Sequence, residues 1–254
     1  MSPPLPEAFL KAPLAHRGLH DVKDGRPENS GLAIRAACDA GYGIEIDVQL
    51  SADHQAMVFH DYDLARLAAA DGPLRDLSAA DLGQLRLRGA DAGIPTLVEI
   101  LDIVSGQVPL LIEIKDQDGA MGPNIGPLEN SVAQALAAYD GEVAVMSFNP
   151  NAVMRMAELL PQIARGLVTC RYGPEERLPV TVRDRLRGIP DYDAAGCSFI
   201  SHDCRDLDRP RVVALKAAGA RILCWTVKSS QEEARARKIA ENITFEQYLA
   251  PIPA

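Results

Sequence analysis

The sequence predicts a (β/α)8 barrel, and three observations carry that reading. The first is length: 254 residues is a size at which closed α/β barrels form one unit, hiding about 70 to 75% of the surface the unfolded chain exposes. The second is composition: 47% hydrophobic and 24% charged residues match an ordinary globular chain and exclude disorder on the scale of the whole sequence. The third is alternation, with short β-branched runs recurring between longer alanine- and leucine-rich stretches, the rhythm of repeated β-α units.

Strands are expected at residues 13–16, 43–49, 56–59, 108–113, 143–147, 163–168, 198–201 and 221–226. Helical patterns fall between most of them, at 30–40, 78–87, 96–104, 128–139, 151–160, 181–186, 208–218 and 230–240. Gly41, Gly141 and Gly219 follow three of these helices, where a left-handed residue commonly ends the last turn, and Asn29 or Ser30 is placed to cap the first. Alternation breaks once, where a hairpin-like turn at 51–55 joins the second and third strands. Residues 117–127, rich in glycine, proline and asparagine, read as a rim loop. No linker interrupts the pattern, so residues 1–254 are expected to form a single domain.

With 26 basic and 35 acidic residues the net charge is −9, a field that repels a polyphosphate backbone, so nucleic acid is not an expected partner. Five cysteines, without a Cys-x-x-Cys pair, read as small buried hydrophobes in a reducing compartment. No apolar run approaches the ~20 residues of a membrane span, and the first fourteen residues lack a signal-like core. A cytoplasmic protein without stable membrane insertion is expected. Arg183, Arg185 and Arg187 read as a solvated helix face, and nothing sets an oligomeric state.

The chemistry concentrates at predicted strand ends. Glu45 and Asp47, two residues apart among β-branched neighbours, project from one face of a strand about 7 Å apart. Like charges on an apolar strand resist burial unless something positive sits between them. Glu113 and Lys115 repeat the pattern at the C-terminal end of another apolar strand, where barrel active sites are built. Three carboxylates from two strands make an all-oxygen ligand set, fitting one divalent cation, Mg2+ or Ca2+, rather than zinc. His16 and His60 end two further strands, and an opposed imidazole pair runs both halves of an acid/base reaction near neutral pH. His20, His54 and His202 are read as structural. Arg17 offers a planar fork for phosphate oxygens and Lys115 a compact second cation, unless both merely pair with Glu28, Glu45 or Glu113.

His16-Arg17-Gly18, Pro27-Glu28-Asn29-Ser30, Glu45-x-Asp47, His60-Asp61 and Glu113-Ile114-Lys115, in that order, resemble the glycerophosphodiester phosphodiesterase family. Weaker matches at Leu64-x-Arg66, 94–97, Ser147-Phe148 and Trp225-Thr226 extend the resemblance along nearly the whole chain. It implies a barrel enzyme that hydrolyses small-molecule glycerophosphodiesters to an alcohol and glycerol 3-phosphate. His16 and His60 would be the acid/base pair, Glu45, Asp47 and Glu113 would hold the metal, and Arg17 and Lys115 the phosphate. Glu28 matches a family acid beside the metal that orients His16 or water, and is grouped with the substrate-binding residues. Two departures stand out. Leu67, Ala68 and Ala69 replace threonines after Arg66, and residues 240–246 replace a glycine-rich turn leading to Thr-Asp-x-Pro. Asn242-Ile243-Thr244 is formally a sequon and is assigned no sugar.

The same barrel would also serve a lysophospholipid or a sugar-linked phosphodiester. A lipid calls for an apolar patch beside the rim, and neither 61–92 nor 117–127 offers one. A non-catalytic binder of phosphorylated metabolites would need no paired histidines.

Overall fold

Strands buried on both faces suit a parallel sheet wrapped by helices, and β2 (Gly43–Leu50) and β4 (Leu110–Ile114) are buried almost throughout. In the computed structural model, which describes residues 2–253, these strands belong to a closed eight-stranded parallel barrel. Its other members are β1 (Leu14–His16), β5 (Val143–Ser147), β6 (Ala164–Thr169), β7 (Phe199–Asp203), β8 (Arg221–Val227) and β9 (Asn242–Phe245). Neighbours follow the order β1-β2-β4-β5-β6-β7-β8-β9, and β9 returns to pair with β1.

Eight barrel strands were expected, but not this set. Residues 56–59 do not enter the barrel: β3 (Ala56–Val58) pairs antiparallel with β2, Val48 opposite Val58. The physical reason is the short turn at 51–55, since a tight connection permits only an antiparallel return whereas a parallel neighbour needs a long crossover. The place counted for it is taken by β9, whose four residues fall in the stretch read as a departure.

The period-two alternation of each strand sorts two cores. Ile44, Ile46 and Val48 face outward, onto Ile34 of α1 (Gly31–Asp39) and Ile100 and Val104 of α3 (Leu97–Val104). Leu14, Leu111, Ala144, Phe199 and Leu223 face inward and are plugged by Leu5 and Phe9 from the N-terminal segment. Asn242 locks that plug by donating to the carbonyls of Phe9 and Ala12, both at 2.7 Å. Its sequon is therefore buried, as is Thr244.

Between β3 and α3 the chain makes an excursion with its own apolar cluster of Met57, Phe59, Leu64, Leu67, Ala68, Leu74, Leu82, Leu87 and Ile94. Leu67 and Ala68, which replace polar residues of the family pattern, are part of it. Its α-helix, α2 (Ala79–Gln84), is shorter than the expected 78–87. Helix α1 starts on the Ser30 cap, whose side chain accepts from Ala33 N. Gly41 and Gly219 adopt the left-handed conformation predicted for them (φ +75° and +98°), while Gly141 does not and lies beyond the end of α4 (Pro127–Leu136). The remaining helices are α5 (Pro150–Leu159), α6 (Val180–Arg187), α7 (Pro210–Ala217) and α8 (Ser230–Ala236). On α6, Arg185 and Arg187 pair with Asp191 and Asp184. All five cysteines are free, Cys170, Cys197 and Cys224 being buried. Among the described residues no helix is long and apolar enough to cross a membrane.

Candidate active site

The hydrogen-bond register of three neighbouring strands assembles the site. His16, the last residue of β1, lies opposite Glu45 of β2, and Asp47 of β2 lies opposite Glu113 of β4. Register partners share a face, so these side chains point into the barrel at its C-terminal end, above the apolar plug. Carboxylate oxygens of Glu45, Asp47 and Glu113 lie within 4.8 Å of one another, and all three residues are buried. The trio expected from sequence is one cluster.

Two cations are drawn into it. Lys115 Nζ lies 2.7 Å from Asp47 Oδ1 and 2.6 Å from Glu113 Oε1. Arg17 Nε lies 3.1 Å from Asp47 Oδ2, its Nη1 donates to Glu28 Oε1 at 2.5 Å, and its backbone N–H donates to Glu45 Oε2 at 3.1 Å. Arg17 and Lys115 thus sit on carboxylates, the arrangement that competes with a phosphate role in the sequence reading. Burial alone would raise the carboxyl of Asp47, but Lys115, His60 and Arg17 outweigh it and hold Asp47 well below the usual range. Glu45 goes the other way. Burial first, then Asp47 and Glu113 beside it, push its carboxyl well above the usual carboxylate range. Arg17 and Lys115 offset this only in part, so one buried carboxylate of the trio lacks a full counter-charge. A hard divalent cation meets that need, and the all-oxygen donor set suits it.

Each candidate histidine is held by a carboxylate. His16 Nδ1 lies 2.6 Å from Glu246 Oε2, and its Nε2 is 4.0 Å from Glu45 Oε2. His60 Nδ1 lies 2.6 Å from Asp61 Oδ1. An ionised carboxylate only accepts, so in both pairs the proton belongs on Nδ1 and Nε2 is left open. Burial disfavours the charged form of His16, opposed in part by its hydrogen bond to Glu246. The bond from His16, with Lys228 and the neighbouring His20 ring beside it, holds Glu246 ionised far below the usual range.

A chain of ion pairs runs from the His60–Asp61 pair to Arg17, the residue after His16. Arg66 bonds both oxygens of Asp61 (2.6 and 2.8 Å) and both of Glu28 (2.9 and 3.0 Å), and Glu28 accepts from Arg17. Glu28 is thereby a strut between two arginines. Local backbone serves the same end: Arg17 is left-handed at φ +55°, and Gly18 follows at φ +79°, where an added Cβ would stand 2.8 Å from the Ala33 backbone carbon. A bulkier residue at 18 would lift this turn off α1. Asn29, also left-handed (φ +58°), donates to Asp47 Oδ2 at 2.9 Å.

Sequence reading missed two features. Glu246 was part of a divergent tail, although an acid directly after a short apolar run, as His16 and His60 follow theirs, is a usable signal. Arg66 was a weak motif match, and its bridge to Glu28 spans a gap no local pattern reveals. His20 packs nearby, its Nε2 3.5 Å from Glu246 Oε2. His202 is buried and shares a 2.7 Å bond with Thr169 Oγ1.

Comparison with known proteins agrees with this architecture. YhdW of Bacillus subtilis (strain 168), whose name assigns it provisionally to the glycerophosphodiester phosphodiesterases, is 26% identical over 239 residues, covering 87% of this chain and 88% of its own. Among solved structures, an Oleispira antarctica phosphodiesterase in complex with the product sn-glycerol-3-phosphate superimposes with a TM-score of 0.77 at 25% identity, covering 95% of this chain and 94% of that one. A glycerophosphodiester phosphodiesterase from Parabacteroides distasonis shares the fold at a TM-score of 0.74 and 22% identity, over 93% and 92% of the two chains. The sequence pattern of the glycerophosphoryl diester phosphodiesterase family matches residues 16–241, from the first candidate histidine to the start of the last barrel strand, and the chain belongs to that family.

Proposed function

We propose that the protein hydrolyses small glycerophosphodiesters to an alcohol and glycerol 3-phosphate, with His16 and His60 exchanging the protons. The observation that carries this reading is the buried Glu45, Asp47 and Glu113 cluster at the strand ends, together with two imidazoles, each held by a carboxylate. Glycerophosphocholine and glycerophosphoethanolamine are the substrates we would try first.

Glu45, Asp47 and Glu113 would hold one divalent cation, Mg2+ or Ca2+, which when bound withdraws charge from the phosphodiester and fixes it for attack. His16, whose burial disfavours the charged ring, begins as acceptor: its Nε2 takes the proton of the glycerol hydroxyl next to the ester. That oxygen bonds to phosphorus while the bond to the departing alcohol breaks, and His60, which enters the step with a second proton on Nε2 besides the one Nδ1 shares with Asp61, protonates the alcohol. The product is a cyclic phosphate. Water then opens the ring with the roles reversed, restoring both imidazoles. Glu246 and Asp61 keep each ring in one tautomer and offset the positive charge it gains. Arg17 and Lys115, already at the site, would turn toward the phosphate oxygens, and Glu28 with Arg66 would keep Arg17 in place.

The test incubates purified protein with several glycerophosphodiesters, with and without chelator, and measures glycerol 3-phosphate release. Product that appears with Mg2+ or Ca2+ and disappears on chelation is the expected result. Metal-independent turnover would remove the role of the carboxylates, and no product from any diester would remove the activity.

A further inference from the structure

Next to the carboxylate trio lies a second group of ligand atoms with different chemistry. His16 Nδ1, His20 Nε2 and Glu246 Oε2 all lie within 4.8 Å of one another. The carboxylate oxygen stands 2.6 Å from His16 Nδ1 and 3.5 Å from His20 Nε2. The other oxygen, Oε1, is taken by Lys228 Nζ at 2.8 Å, which orients the carboxylate so that Oε2 faces both imidazoles. Two imidazole nitrogens and one carboxylate oxygen suit a borderline-soft ion, zinc above all. The trio of Glu45, Asp47 and Glu113, offering oxygen alone, suits Mg2+ or Ca2+.

An independent observation points to a ligand here. His20 Nε2 is buried and has no hydrogen-bond partner, a rare condition for a buried polar atom. Its 3.5 Å contact with Glu246 Oε2 does not make a hydrogen bond. Ligands held tetrahedrally about 2.0 to 2.2 Å from zinc stand roughly 3.3 to 3.6 Å apart, so the His20 to Glu246 spacing already fits, and His16 needs to withdraw by less than an ångström. An ion can reach the group from a groove of ≈ 580 Å³ lined by His20, Asp21, Lys23, Glu246, Gln247 and Tyr248. That opening also leaves room for water as a fourth ligand.

We propose that His16, His20 and Glu246 form an inhibitory zinc site. The inhibition, though not the binding, rests on the proton-accepting role given to His16 above. Zinc takes the lone pair of Nδ1, so the single proton of the neutral ring moves to Nε2 and no net proton is released. Nε2 then carries N–H and has no lone pair with which to accept the proton of the nucleophile. Substrate and Mg2+ or Ca2+ still bind, and turnover stops.

The experiment titrates zinc ion alone into the whole protein at saturating Mg2+, against a chromogenic chelator, and follows hydrolysis in parallel. Wild type should bind one zinc equivalent and lose activity as it fills, with a midpoint that further Mg2+ does not move. His20→Ala should keep basal activity within about twofold, lose the zinc equivalent and raise the inhibition midpoint at least tenfold, the size of effect that ligand-shell changes have on metal affinity. Asp47→Asn should keep the equivalent, and if it fails to fold the comparison of wild type with His20→Ala decides alone. Zinc retained by His20→Ala, or inhibition reversed by raising Mg2+, would overturn the site by placing zinc on the carboxylate trio. Zinc lost from His20→Ala while no sample hydrolyses any diester would leave the zinc site standing and remove the proposed activity instead.

Discussion

The lower and upper halves of the barrel interior are built from the same strands, and they answer opposite demands. On β1 the inward residue changes from Leu14 to His16, and on β4 from Leu111 to Glu113, two positions further along one face. Below, Leu14, Leu111, Phe199 and Leu223 close around Phe9 in a dry cluster, each large side chain contributing about 1.5 to 3 kcal/mol by leaving water. Above, buried carboxylates repel one another and Glu45 is held away from its preferred ionised state. Stability and chemistry thus occupy separate layers of β1 and β4, and a substitution should disturb one without the other.

The sharpest break of that comparison is chemical. His16→Ala and His60→Ala should each lower kcat/KM by about 10² to 10⁴, with thermal melting close to that of the parent. A collapse of melting temperature in step with activity would show that the upper layer is structural too. In the lower layer, Phe199→Ala should cost about 3 to 5 kcal/mol in urea unfolding while kcat per folded molecule is kept. Gly166→Ala acts on the same ring, since its Cβ would meet Phe199 carbons at 2.5 Å and the Phe199 carbonyl oxygen at 2.6 Å. A cost of about 1 to 3 kcal/mol is expected, again without loss of turnover.

Glu45→Gln turns the comparison round. Removing a carboxylate whose charge is opposed by burial, Asp47 and Glu113 should leave the metal-free protein as stable as the parent or more so. The rise in melting temperature on adding Mg2+ or Ca2+ should vanish, and differential scanning calorimetry with and without the ion reads both. The smallest effect concerns His202, whose imidazole is pushed below its ordinary value mainly by burial, against the bond to Asp206. The unfolded chain then binds the proton more readily than the folded one. The stability His202 contributes is complete above the ordinary imidazole value near 6.5 and is lost as pH falls through and below it. Urea midpoints between pH 7.5 and pH 5 should fall less steeply for His202→Gln than for the parent.

How far the sequence carried the account varies from residue to residue. Glu45 and Asp47 were legible as a pair because a strand repeats every two residues, and Glu113 with Lys115 for the same reason. His16 and His60 were legible because each ends an apolar run. The place of β3 was not, since alternation marks a strand without naming its neighbour. Strand β9 escaped because four residues beginning with a polar Asn242 make a weak signal, and that asparagine is buried only because Phe9 and Ala12 offer it carbonyls. Glu246 and Arg66 act across 230 and 38 residues of chain, distances over which no periodicity survives.

By itself, then, the order of side chains determined which positions are apolar, which are ionisable and which face of each strand they share, because those follow from backbone geometry over two to four residues. Tertiary structure decided what lies beside what: the closure of β9 on β1, the carboxylates that hold each imidazole, and the burial that sets one acid of a trio against its neighbours. Such choices depend on register and on desolvation, and both come into being only when distant segments meet.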